Sequence, residues 1–384
     1  MIYKPTSLIV DLTTKCNQKC FFCWRINKQD HLINVLKDKN MTIDFNLYKK
    51  IIDESCQIDS LNWLSLCGPM GEPLLADNFL QYPRYAMSKN KFQTVLINTN
   101  GVALNNYDPK ELLTSLTDIF ISVDSVMPET YEKIHGNAKQ LPIVLDNIKS
   151  LLSCKKNNPE IKTTIKVRFT ENNYNKGEWK LFKKYFDDIN CPIHHVKIHS
   201  FNGVNPERNN EIGAYLCNQP YSVINFNYRG EMTTCCTNYQ LEPTFGSIKT
   251  HSIISLYNSR KFNKWRINRM KEICGNCGGL GTVTQRFDNI LYDDEYLKYY
   301  LLKKSPSFLK NIIGAKKISV KEISWWIPVK KWRENFRDKF KIRPDQTRPD
   351  QTRPNICKEY ILFYNNNNTQ YKKLQPMLQY KIAE

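Results

Sequence analysis

Short runs rich in β-branched and large apolar residues punctuate the first half of the chain. They read "LIVDLT" from Leu8, "LNWLSLCG" from Leu61, "QTVLINTNG" from Gln93, "DIFISVDS" from Asp118, "IKTTIKVRFT" from Ile161 and "HHVKIHS" from His194. Between them lie helical patterns such as Asp44 to Cys56, where Phe45, Tyr48, Ile51 and Ile52 recur at helical spacing. Strands alternating with helices predict a parallel sheet with helices outside, and functional loops of such sheets follow the C-terminal ends of the strands.

Beyond residue 210 the pattern changes to a hairpin-like "PYSVINFNYRGEMTTCC" with a turn at Arg229 and Gly230, then helical "IISLYNSRKFNKWRINRMKEI" and "CGNC". The remainder reads as helical, basic and aromatic until "RPDQTRPDQTRPN" interrupts it from Arg343 to Asn355. Pro every five residues with polar filler sustains no helix, so this stretch is a linker or exposed loop, and the tail beyond it is expected to be poorly ordered. The expected division is 1–205 for the α/β domain, 210–285 for a small cysteine-rich hairpin and helix module, 286–342 for a basic helical extension and 343–384 for linker and tail.

A chain of 384 residues, 41% of them hydrophobic, can bury a sizeable core. No apolar run reaches the length of a membrane span and the N-terminus lacks a secretory pattern, so a cytoplasmic protein is expected. There, thirteen Cys argue for metal ligation over disulfides. A net charge of +19 raises nucleic acid, acidic substrates or an anionic membrane as partners, but charge alone does not choose among them.

"CNQKCFFC" follows the first predicted strand and carries Cys16, Cys20 and Cys23. Three thiolates at this spacing can face inward from one loop; zinc would want a fourth protein ligand, whereas a 4Fe–4S cluster with one open iron needs only three. With Phe22 at the aromatic position, the motif resembles that of the radical S-adenosylmethionine (SAM) family, C-x3-C-x-aromatic-C. The resemblance implies a partial (β/α)6 barrel, three Cys on three irons, and SAM chelating the fourth. "LCGPMGEPLLADNF" resembles the family's GGEP-type segment through Gly68, Gly71, Glu72 and Pro73, with Glu72 or a neighbouring carbonyl accepting protons of the SAM amino group. "NTNG" offers Asn98 and Asn100, "ISVDS" offers Ser122 and Asp124 for the ribose or amino-acid end of SAM, and Arg168 is a candidate for its carboxylate. Turn residues and satisfied buried polar groups are the structural alternatives.

A second set, Cys217, Cys235, Cys274 and Cys277, resembles the SPASM/twitch extension found on many members of the family. The resemblance implies one auxiliary 4Fe–4S cluster with no open iron, serving electron transfer or substrate positioning; zinc on four Cys is the alternative. Cys235 and Cys236 are adjacent, so one of them at most faces such a cluster in an extended strand, and the spacing from Gly230 favours Cys235. Cys56, Cys67, Cys154 and Cys191 read as buried small hydrophobes.

Trp325, Val329, Trp332, Phe336 and Phe340 form one helical stripe flanked by Lys and Arg, which suits either a helix packed on the core or peripheral membrane contact through 325–340. The expectation is thus a radical SAM oxidoreductase or maturase, supplied with electrons by a flavodoxin- or ferredoxin-like donor. It would act on a small molecule or carbohydrate, or else on a ribosomally made peptide. The lack of a leader-recognition module before the first strand tilts towards the former. An RNA-modifying or RNA-binding iron–sulfur protein is the rival class, without a recognisable RNA module.

Overall fold

A computed structural model of the protein describes residues 4–25, 38, 40–198, 219–238 and 241–268. Cys217, Cys274, Cys277, the 325–340 stripe and the regions expected as extension, linker and tail lie outside the described residues. The chain divides into two units, the first holding all the elements discussed below up to Lys264, the second represented among the described residues by Trp265–Asn268 alone.

All six runs expected as strands are strands of one sheet. In chain order the elements are β1 (Ser7–Val10), α1 (Phe45–Ser55), β2 (Trp63–Ser65), α2 (Gln81–Ser88), β3 (Thr94–Thr99), α3 (Pro109–Thr114), β4 (Asp118–Ser122), α4 (Pro128–His135), α5 (Gln140–Asn157), β5 (Thr164–Glu171), α6 (Trp179–Asp188) and β6 (Ile193–Lys197). After these come α7 (Gln219–Ser222), β7 (Val223–Phe226), β8 (Met232–Thr233), α8 (Ile253–Tyr257) and α9 (Arg260–Asn268). The spatial order is β6-β5-β4-β3-β2-β1-β7-β8, with every pairing parallel except the β7–β8 hairpin. The hairpin expected to open a separate module instead continues this sheet, because β7 runs parallel to β1 with Leu8 opposite Ile224. Backbone donors on that side of β1 need partners, and β7 provides them.

Local chemistry sets the element ends. Asp44 and Asp108 accept the Leu47 and Glu111 N–H groups at 2.9 Å and cap α1 and α3. Gly136 ends α4 in the left-handed region at φ +85°, its N–H bonded to the Glu132 carbonyl at 2.8 Å.

The sheet's two faces differ in kind. Ile97, Ile119, Ile121, Val167 and Phe169 are fully buried. Phe169 meets Phe182 of α6 at 4.8 Å between ring centroids and Trp179 at 5.3 Å, which marks this as the helix-covered face. Since side chains alternate along a strand, the opposite face carries Asn98, Phe120, Ser122, Lys166 and Arg168, with His194 opposite Arg168 on β6. Among the described residues no helix is long and apolar enough to cross a membrane.

Phe169→Ala removes an aromatic ring from the helix-covered core and should lower the unfolding free energy by about 3–5 kcal/mol, read as a lower urea midpoint at unchanged slope.

Candidate functional site

The C-terminal ends of β1 to β5 carry most of the expected site residues, and hydrogen bonds between their loops gather them. Asp11 follows β1 and is 1% exposed; the cysteine loop comes next. That loop is fastened to the end of α4, where Lys19 N–H donates to the His135 carbonyl at 3.2 Å and Phe21 N–H to the Ile134 carbonyl at 3.0 Å. Cys23 N–H closes a turn on the Cys20 carbonyl at 3.0 Å. Phe22 packs edge-on against Phe21 at 5.3 Å.

The loop after β2 packs directly beneath. Glu72 N–H donates to the Lys15 carbonyl at 2.7 Å, and a Cβ on Gly71 would sit 2.4 Å from the Thr13 carbonyl oxygen. A Cβ on Gly68 would come within 2.2 Å of the Asp11 carboxylate, so both glycines permit close approach of two loops. Pro73 opens a short 3-10 turn, and Glu72 caps it by accepting Leu74 N–H at 3.2 Å. The Glu72 carboxylate also accepts the Thr99 hydroxyl at 2.6 Å and Asn100 N–H at 2.7 Å. Its acceptor capacity goes largely to holding the end of β3, which leaves neighbouring carbonyls as the alternative for a ligand's protons.

Other expected residues also have structural engagements. Asn100 donates to Asn17 at 2.7 Å and accepts Val102 N–H at 3.0 Å. Asn98 accepts from Arg168 Nη2 at 2.5 Å. Asp124 is fully buried at φ +62°, accepts Thr170 N–H at 2.6 Å through Oδ1, and places Oδ2 3.4 Å from His135 Nε2. Ser122 lies beside Arg168 in register. Cys235 stands 3.3 Å from the Thr237 hydroxyl, while Cys236 is within electrostatic reach of Arg168.

Sequence reasoning missed His135: its Nδ1 lies 3.3 Å from Cys20 Sγ and the ring is 1% exposed. Gln18 and Asp11 were missed too. The signal for Asp11 was an acid inside an otherwise apolar strand run.

Electrostatics mark this edge as costly without a ligand. Burial pushes Asp11 and Glu72 each up to about 7 against the pull of N–H and O–H donors, and Cys67 up to about 12, with the Asp11 and Glu72 charges adding to its rise. Burial also raises Cys16, lifts Cys23 to about 11, and holds Cys20 well above the thiol range, helped by the charges of Cys23 and Cys16. Three thiolates within mutual electrostatic reach require a cationic partner, and sulfur donors suit iron. Among the described residues no three His, Cys, Asp or Glu side chains close on one point as a single ion demands; a multi-iron cluster is a larger body. The buried Asp11 Oδ2 and Arg168 Nε have no hydrogen-bond partner, which fits a polar ligand at this edge.

Residues 217–278 match the SPASM iron–sulfur cluster-binding domain, a span that contains Cys217, Cys235, Cys274 and Cys277. The chain is 28% identical over 137 residues to a probable GTP 3',8-cyclase of Methanococcus aeolicus, covering 35% of this chain and 42% of that protein. It is 26% identical over 171 residues to the GTP 3',8-cyclase of Clostridium perfringens, covering 44% and 48%. The chain thus spans under half the length of these curated relatives. Its fold resembles Streptococcus suis SuiB bound to precursor peptide SuiA, with TM-score 0.52, 13% identity and coverage of 71% of this chain and 70% of that one. It also resembles anSMEcpe with bound AdoMet and Kp18Cys peptide, with TM-score 0.50, 13% identity and coverage of 82% and 100%.

Asp11 keeps its proton in the folded protein up to about pH 7, whereas the unfolded chain releases it near 3.8, so this group's contribution to stability is lost as pH rises between those values. Asp11→Asn should therefore stabilise the protein, and the gain should be about 1 kcal/mol larger at pH 8 than at pH 6, checked by denaturant melts at both values.

Proposed function

We propose, from the premise that this chain is a radical SAM enzyme with a SPASM-type iron–sulfur domain and that its cofactors are 4Fe–4S clusters and SAM, that it abstracts hydrogen from an unreactive C–H bond of a polar small molecule or carbohydrate. When bound, these cofactors supply a 5′-deoxyadenosyl radical through one-electron cleavage of SAM.

The observation that carries this reading is the joining of four motif-bearing segments at one edge of one sheet. The cysteine loop is bonded through the Lys15 carbonyl to Glu72, Glu72 is bonded to Thr99 and Asn100, and Asp124 N–H is bonded at 3.2 Å to the carbonyl of Arg168, whose side chain donates to Asn98 at 2.5 Å. A curled partial (β/α)6 barrel is the form of this sheet that the reading entails, with the polar face of β3 to β6 turned inward.

Cys16, Cys20 and Cys23 would hold the first cluster. Phe22, Gly68, Gly71 and Pro73 shape the loops around it, and Glu72 keeps them in place. Ser122 and Arg168 would meet the SAM carboxylate, the guanidinium through paired donors; Asn98 orients that guanidinium. Asp124 and Asn100 hold the strand ends between which SAM would bind. Cys217, Cys235, Cys274 and Cys277 would hold one auxiliary cluster that takes the second electron of an oxidation or orients the substrate. A flavodoxin- or ferredoxin-like donor would deliver the first.

Protein prepared without oxygen should carry about eight irons from two such clusters. Replacing Cys16, Cys20 and Cys23 together by Ala should halve the iron and abolish SAM cleavage; retained cleavage would sink the assignment. Cys235→Ala should lose the auxiliary cluster and keep uncoupled SAM cleavage, whereas loss of that cluster in Cys236→Ala alone would move the ligand to the neighbouring residue.

A further inference from the structure

The face of the sheet opposite the helix-covered one carries an arrangement of which the SAM reading uses only Ser122 and Arg168. Phe120 on β4 lies opposite Lys166 on β5, and one pleat further along Ser122, Arg168 and His194 follow one another across β4, β5 and β6. Parallel register puts all of them on one side. Around the Phe120 ring stand Lys166 Nζ at 5.5 Å, Arg168 Cζ at 5.7 Å and the His194 ring at 5.6 Å. Neither cation has a carboxylate salt-bridge partner among the described residues; the carboxylate in electrostatic reach of Arg168 is Asp124, which His135 already faces.

The Phe120 ring attracts each cation and Asn98 accepts from Arg168, but the like charges of Lys166 and Arg168 repel in this partly desolvated place, and a bound anion would relieve that repulsion. Burial and the charges of Arg168 and Lys166 make His194 harder to protonate, and burial lowers Arg168 as well. The buried His194 Nδ1 and Arg168 Nε have no partner. The contrast with the other face is direct: His195 stacks on Trp179 at 4.3 Å and pairs with Glu171 at 3.0 Å, so its needs are met within the protein. An edge-strand lysine that guards against aggregation would be a simpler account, but β5 is an internal strand between β4 and β6.

We infer that Lys166 and His194, set against Phe120, form a subsite for an oxyanion of the substrate, a carboxylate or a phosphate, one pleat away from the SAM end of Arg168. Calling the bound molecule the substrate rests on the function proposed above; the anion site itself does not. The chain's net charge of +19 would draw such a molecule in from a distance.

The test is calorimetric titration of inorganic phosphate, and separately of acetate, into the cluster-loaded full chain with saturating SAM at fixed ionic strength. Saturable binding of at least one anion is expected, and which one binds identifies the oxyanion. Lys166→Gln should weaken it by about tenfold, as loss of a charge-assisted contact does, while Lys197→Gln, an exposed cation elsewhere on β6, should not. Unchanged melting curves would establish that the Lys166→Gln protein is folded; if it is not, Lys166→Met, which removes the same charge, takes its place with the same expected loss. Absence of saturable binding in the unaltered protein, or equal weakening by both lysine variants, would overturn the subsite. SAM cleavage by the unaltered protein under a chemical reductant is measured alongside: its absence would defeat the radical reading and leave the anion result standing.

Discussion

One buried carboxylate ties the functional edge together. Glu72 is 3% exposed, and its backbone N–H, two carboxylate oxygens and position after Gly71 connect the loop following β1, the loop following β2 and the end of β3. A buried acceptor must find donors or cost several kcal/mol, so the loops that supply those donors are held in register with one another. Take the carboxylate away and the Thr99 hydroxyl and Asn100 N–H lose their partner, so the end of β3 is no longer tied to the loop whose backbone holds Lys15.

The same edge pays little heed to economy elsewhere. It buries Asp11 and Asp124 beside thiols whose charges repel, and it leaves polar atoms of Asp11 and Arg168 without partners. Such an arrangement is poor for stability and good for ligands that bring iron, a charged amino acid moiety or a substrate's acid group. The helix-covered face, by contrast, is apolar and closely packed from Ile97 to Phe169 and supplies the burial that offsets those costs.

Legibility in the sequence followed the range of the physics. Strand periodicity and caps are local: β1 to β6, α1 with its Asp44 cap and the Gly136 stop of α4 could all be read from neighbouring residues. The cysteine triad and the segment around Glu72 were legible as motifs because their spacing is short. The role of Glu72 was not, since its partners Thr99 and Asn100 come 27 and 28 positions later. His135 escaped notice for the same reason: it meets Cys20 across 115 positions of chain.

By itself, then, the sequence determined the alternation of strands and helices, the identity of the thiols, and the chemical class they point to, because hydrophobic period and ligand spacing act over a few residues. Only the tertiary structure decided that the cysteine-bearing hairpin joins β1 as part of the same sheet, that Asp124 and Asn100 spend their side chains on the fold, and that Lys166, Arg168 and His194 converge on Phe120. Those outcomes depend on strand order and register. Both are fixed by the summed burial and hydrogen bonding of the whole sheet, and no single stretch of chain contains them.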